Sequence, residues 1–238
     1  MKAVGVDGCH GGWIAVWIGK SGIHGFAIFP RIAFVLALHA DLAMIDIPIG
    51  LPETGDRGCD LAARKMLGKD GQSRVFLGAR RPLLQYLPDH QTSYDAAYID
   101  ANKWAKSQPG GKGLSRQLFG ILPKIAEADE IMTPARQETL REAHPELVFQ
   151  DLSHAPKPLP SKTSPEGQRL RRDIADHGGF PDIDDWIAKL RGTRAKPDDL
   201  LDACACCIAA LRASVKGVRT VECPREVDAK GLRMEICY

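Results

Sequence analysis

The chain has 238 residues, 44% of them hydrophobic and 26% charged, with a formal net charge of +2. That size suits one globular domain, or one domain with an insertion, and so small a net charge argues against tight non-specific binding to nucleic acid. No apolar run approaches the ~18 residues of a membrane span, Met1-Lys2 leads into a strand without a secretory leader, and seven cysteines without regular spacing suit a reducing compartment, so the expectation is a cytoplasmic protein with no membrane partner.

In chain order, the apolar run 2–7 predicts a strand. Gly8, Gly11 and Gly12 then turn the chain into a second strand, Trp13 to Ile18, rich in β-branched and aromatic residues. Gly19-Lys20-Ser21-Gly22 is a turn before a third strand, Gly25 to Phe29. Pro30 opens a helix carrying Ile32, Val35, Leu36 and Leu38. The nearly all-apolar segment Ala43 to Ile47 is a fourth strand of the kind covered on both faces, closed by Pro48, Gly50 and Pro52. Arg57 to Leu67 reads as a helix with Gly68 as its C-terminal stop, and residues 69–91 as irregular.

Helical patterns follow at Ser93 to Lys106, at Ser115 to Met132 with an interruption near Pro123, and at Pro134 to Ala143. The glycine-rich break Pro109-Gly110-Gly111-Lys112-Gly113 separates the first two. Glu146 to Phe149 suggests a short strand, Pro156 to Pro160 a link, and Ser164 to Asp176 a basic helix. The last long helix, Pro197 to about Val215, carries Leu200, Cys204, Cys207, Ile208 and Leu211 as a buried stripe, with Asp199, Asp202 and Cys206 on an adjacent face. Thr220 to Cys223 and Met234 to Cys237 are two further short strands.

Three acidic stretches carry the chemistry: Val4-Gly5-Val6-Asp7-Gly8, Met44-Ile45-Asp46-Ile47-Pro48 and Asp199-Leu200-Leu201-Asp202-Ala203. Asp7 and Asp46 sit in or just after apolar strands, where an ion without a partner costs several kcal/mol, on the order of the effective burial penalty. Asp199 and Asp202 lie three apart on a helix and share part of its surface. Carboxylates converging from separate elements are a common way to hold Mg²⁺ or Mn²⁺ for phosphate chemistry. Their structural alternatives are a turn residue at Asp7, a buried ion pair at Asp46 and helix capping at Asp199. In Ala143-His144-Pro145-Glu146-Leu147, His144 and Glu146 would face one side if extended, as a general base and a further ligand, or as structural hydrogen-bonding groups. Lys124 reaches the site or pairs with Glu127.

Residues 61–120 carry ten Lys and Arg against four Asp, among them Arg64, Lys65, Arg74, Arg80 and Arg81. They form an electropositive rim for a polyanion, or solvated helix faces. Cys204 and Cys207, a CxxC on an apolar stripe, read as core, and Gly110-Gly111-Lys112-Gly113 lacks the P-loop pattern.

Taken together with Arg57, Cys59, Asp60, Arg64, Ser115, Gln117, Pro123-Lys124-Ile125, Glu127, Asp129, His144-Pro145-Glu146, Ser161-Lys162-Thr163 and Gly167, the acidic motifs resemble the domain-of-unknown-function family 429. Its members are described as predicted RNase H-like nucleases. The ending Asp199-Leu200-Leu201-Asp202-Ala203 also resembles the paired C-terminal aspartates of the RuvC-type resolvase branch, although resolvases commonly place Glu where this chain has Asp46.

The resemblance implies one α/β domain over 1–238 with an RNase H-like mixed five-stranded sheet flanked by helices, and residues 69–142 as a largely helical insertion. It implies Asp7, Asp46, Asp199 and Asp202 as metal ligands, with Lys124, His144 and Glu146 assisting. The chemistry would be hydrolysis of DNA or RNA phosphodiesters by two Mg²⁺ or Mn²⁺ ions about 4 Å apart. A non-catalytic nucleotide- or protein-binding domain with the same fold is the alternative. An actin-like kinase or ATPase would need two such domains and a longer chain.

Overall fold

In the computed structural model, which describes residues 1–89, 91–153 and 159–238, the chain begins with an antiparallel meander. Strand β1 (Ala3–Cys9) pairs with β2 (Gly12–Ile18), and β2 pairs with β3 (His24–Phe29). Gly11, with φ 89°, makes the β1–β2 turn, and Gly12 lets the end of β3 approach, because a Cβ there would lie 2.1 Å from the carbonyl oxygen of Phe29. Strand β4 (Leu42–Ile45) then adds parallel to β1, after the short helix α1 (Ile32–Val35) and one 3-10 turn. Strand β5 (Leu140–Glu142) pairs in parallel with β4. The sheet order is β3-β2-β1-β4-β5, an RNase H-like arrangement with β1 in the middle.

The strand pleat divides the molecule into two cores. Ala3 and Cys9 of β1, with Met44 of β4, face helices α5 (Pro145–Leu152), α6 (Pro165–His177), α7 (Ile183–Lys189) and α8 (Pro197–Lys216). Val4 and Val6, with Ala43 and Ile45, face α1, α3 (Tyr94–Ser107) and α4 (Arg116–Ile131). Helix α2 (Gly58–Gly71) builds a third cluster with Val221, Met234 and Ile236 of the C-terminal segment.

One glycine sets the spacing between the sheet and α8. A Cβ on Gly5 would sit 2.0 Å from the carbonyl oxygen of Ala203 and 2.1 Å from the backbone nitrogen of Cys207. The helix therefore rests directly on the β1 backbone, which its small residues Ala203, Cys204, Cys206 and Cys207 permit. Every residue from Leu200 to Ala210 is buried, so the helix is enclosed well beyond the stripe that periodicity marks out.

Five expected elements differ. Pro123 does not interrupt α4, because the helix loses only the hydrogen bond that this residue's missing N–H would donate, while Leu118, Phe119, Leu122 and Ile125 stay buried around it. Residues 134–143 are not helical: a 3-10 turn at Arg136–Glu138 leads into β5, whose pairing with β4 outweighs local propensity. The expected insertion 69–142 thus runs into the sheet at its end. Glu146 to Phe149 belongs to a helix, α5, started by Pro145 at its first position. Thr220–Cys223 and Met234–Cys237 form only isolated bridges, Thr220 with Cys237 and Ala143 with Cys237. Gly68 does break α2, with φ 73°, although one further turn follows. Part of the expected Pro156–Pro160 link, residues 156–158, lies outside the described residues.

Candidate active site

Asp7 and Asp46 meet by register. Val6 lies opposite Ile45 in the parallel β1–β4 pair, and the N–H of Asp46 donates to the carbonyl of Val6 at 2.9 Å. Both aspartates fall on the face of the sheet that α8 covers, because Asp7 lies an even number of residues from Ala3 and Cys9, and Asp46 two residues from Met44. On that face α8 brings Asp202. The three carboxylates line one cavity of about 450 Å³.

Their electrostatics are those of a crowded acidic floor. Burial pushes the Asp7 carboxyl well above its usual range, with Asp46 and Asp202 adding repulsion. Burial also raises Asp46 and Asp202 to about 7 each, against the lowering pull of the Lys162 ammonium. Lys162 is the cation of the cluster: its Nζ lies 3.0 Å from Asp202 Oδ2 and 3.6 Å from Asp198 Oδ2. The acidic neighbours raise its own pKa although burial works against them. Asp202 Oδ1 is buried with no hydrogen-bond partner among the described residues. Among the described residues, Asp7 Oδ1 accepts only the adjacent N–H of Gly8, at 2.6 Å.

Asp199 does not line this cavity. Its Oδ2 accepts the N–H of Lys196 at 2.8 Å and so caps the start of α8. Lys124 reaches the cavity from α4 across Gly8, where a Cβ would lie 2.6 Å from its Cδ. Its ammonium donates to the carbonyl of Gly12 and lies 4.5 Å from the centroid of the Trp13 ring. Burial lowers its pKa.

Glu146 also borders the cavity, but both its oxygens are occupied. Arg171 Nη2 lies 2.8 Å from each and Arg74 Nη1 2.6 Å from Oε2. Although burial opposes it, the two guanidinium groups hold the Glu146 carboxyl below its usual range. His144 Nε2 contacts the carbonyl of Arg74 at 3.3 Å, and its Nδ1 is buried without a partner among the described residues. Burial lowers its pKa, which favours a neutral imidazole.

A second buried charge group supports the loop carrying Asp46. Arg57 binds Asp60 (Nη2–Oδ1 2.5 Å) and Glu142 (Nη2–Oε1 2.6 Å), and donates to the carbonyl of Ile49 at 3.1 Å. Glu142 Oε2 in turn accepts the N–H of Ile49 at 2.7 Å. The strand end of β5 thereby grips the chain three residues beyond Asp46. Burial raises the Glu142 carboxyl to about 7 despite the Arg57 pairing. These roles for Lys162, Arg57 and Glu142 escape sequence reasoning. The signal for the first two lay only in their presence among the family-like motifs.

The arginines of the basic rim are largely spent on internal contacts. Arg64 donates to the carbonyl of Val75 at 2.7 Å, and Arg74 is held by Glu146. Arg80 is buried against the carbonyl of Gly55 at 2.7 Å, and Arg81 pairs with Asp129 at 2.9 Å and Asp228 at 2.5 Å. Four of the ten cations of 61–120 are thus structural arginines, while Lys65, Lys69, Lys103, Lys106, Lys112 and Arg116 are exposed.

A family model described as "Protein of unknown function (DUF429)" matches residues 5–228. The chain belongs to this family. The DUF429 match contains every carboxylate of the cavity floor, Lys162 and the Arg57 group. Comparison with curated proteins and with solved structures finds no match.

Among the described residues of this DUF429 chain, no three His, Cys, Asp or Glu side chains stand ready-placed around one metal position. The donor chemistry nevertheless fits a hard divalent cation. The floor offers oxygen ligands from three elements, one buried carboxylate oxygen is orphaned, and burial, with repulsion from neighbouring acids, raises the acids' pKa values. No helix of the described residues is long and apolar enough to cross a membrane.

Proposed function

We propose that this DUF429 chain is a metal-dependent hydrolase of phosphodiesters, a nuclease-type enzyme. The observation that supports it is the meeting of Asp7, Asp46 and Asp202, from two parallel strands and a helix, on the floor of one cavity. Mg²⁺ or Mn²⁺ held by these three would supply activated water and charge stabilisation at the phosphate. Asp199 serves as a helix cap rather than a ligand in this reading. Lys124 and Lys162 provide positive charge for phosphate oxygens, and neutral His144 is a proton acceptor through its unpartnered Nδ1. Glu146, fixed by two arginines, shapes the wall instead of moving protons. A cytoplasmic setting belongs to the same proposal, since all seven cysteines are free thiols.

A second reading has its own observation. The Lys162–Asp202 pair already balances part of the acidic charge, which suits a non-catalytic binding domain. Hydrolysis of bis(p-nitrophenyl) phosphate with Mn²⁺ separates the two. The hydrolase reading expects turnover that disappears in Asp7→Asn and Asp46→Asn while both variants still melt cooperatively. Absence of turnover in the wild type, with Mn²⁺ bound, would favour the binding domain.

A further inference from the structure

The cavity is about 450 Å³, within the ~300–1,000 Å³ of pockets that enclose small molecules. Its lining is of mixed character. Helix α4 presents Gln117, Ile121 and Lys124 to it, at i, i+4 and i+7 on one helical face. The turn after α2 adds Val75 and Phe76, and Lys162 stands by the aspartates. An apolar and aromatic wall, an amide, two ammonium groups and a carboxylate floor thus share one pocket. Asp202, 5% exposed, lines this space and has a buried Oδ1 without a partner among the described residues.

We infer that the substrate is a small nucleotide phosphodiester of dinucleotide size, and not duplex nucleic acid. The inference rests on the hydrolase reading above. A base has a flat apolar face that stacks on an aromatic ring such as Phe76 and edge groups that hydrogen-bond an amide such as Gln117. The phosphodiester then falls to Lys124 and Lys162 above the aspartates. A duplex offers its phosphates on a wide convex surface and needs a basic track outside the pocket. Here Arg64, Arg74, Arg80 and Arg81 are committed to carbonyls and carboxylates, which leaves Lys65, Lys69, Lys103, Lys106, Lys112 and Arg116 as the exposed cations of 61–120, none of them lining the pocket.

The test compares a dithymidine monophosphate, a single strand and a duplex of one sequence, all with Mn²⁺, by product analysis and by melting temperature. A ligand that binds only the folded state raises the melting temperature by mass action. The dinucleotide is expected to raise it and to be cleaved with about tenfold or more higher kcat/KM than the duplex. Phe76→Ala and Gln117→Ala are expected to weaken the dinucleotide-induced shift. Internal cleavage of the duplex at a rate equal to the dinucleotide's, or a melting shift with duplex alone, would overturn the inference. If neither bis(p-nitrophenyl) phosphate nor any nucleotide is hydrolysed, it is the hydrolase reading that fails. The dinucleotide shift then decides by itself: present, the small-nucleotide pocket stands; absent, it falls.

Discussion

Lys162 Nζ lies 3.0 Å from Asp202 Oδ2, while Asp202 Oδ1 is buried without a partner among the described residues. One oxygen of this carboxylate is thus satisfied by an internal cation and the other is left without a hydrogen bond. The two partners differ in exposure, the lysine side chain being 41% exposed and the aspartate 7%. A divalent ion arriving at the aspartates would compete with this partly exposed ammonium.

From that competition a Lys162→Met variant should bind Mn²⁺ more tightly than the wild type, with a larger rise in melting temperature over EDTA. In EDTA it should be less stable by about 1–2 kcal/mol, below the ~3–5 kcal/mol for breaking a fully buried pair, since solvent screens the exposed lysine. Metal titrations followed by thermal melts would check both. Weaker Mn²⁺ binding in the variant would make Lys162 a support of the ion site rather than its rival.

The raised carboxyls give stability a pH signature. Asp46, lifted to about 7 by burial, keeps its proton in the folded state after the unfolded chain has lost it near pH 4. Its contribution is complete below about pH 4 and is lost as pH rises through about 7. Acids held low, such as Glu146 and Asp228, act in the opposite direction at lower pH, so the informative quantity is a difference between variants. In EDTA, Asp46→Asn should gain stability relative to the wild type from pH 4 to 7. A constant difference across that window would show that Asp46 titrates normally.

Gly5→Ala should be among the most damaging small changes in the chain. Its Cβ would overlap the Ala203 carbonyl and the Cys207 nitrogen, both backbone atoms that cannot rotate away. Overpacking of this kind costs about 1–3 kcal/mol or more, and lifting α8 off β1 would carry Asp202 away from Asp7. Gly120→Ala, on an exposed helical position where the nearest atom is Tyr94 Oη at 3.5 Å, should instead stabilise by roughly 0.5–1 kcal/mol. Urea denaturation of the two variants gives the comparison.

Arg57→Met would leave Asp60 and Glu142 buried, 2% and 5% exposed, without their cation. A loss of about 3–5 kcal/mol is expected, the cost of stranding a buried charge. The double variant Arg57→Met, Glu142→Gln should recover part of it, because the stranded glutamate is then neutral. Equal stability of the single and double variants would mean that Asp60 alone bears the penalty.

Much of the site was legible in the chain because it obeys local periodicity. The element order made the first and fourth strands neighbours, which brings Asp7 and Asp46 close, and the pleat puts both on the α8 face. Helical spacing located Asp202 on a buried helix, and the meander itself followed from glycine turns between β-branched runs. Only the tertiary structure placed the fifth strand, because Leu140–Glu142 is too short to announce itself and is fixed by pairing with β4. The same is true of the fate of the charges. Asp199 caps a helix, Glu146 is clamped by Arg74 and Arg171, and Lys162 neutralises an aspartate forty residues further on. A sequence shows that a charge exists and where along an element it lies. Which opposite charge it meets depends on contacts between distant segments, and those are settled when the two faces of the sheet are covered.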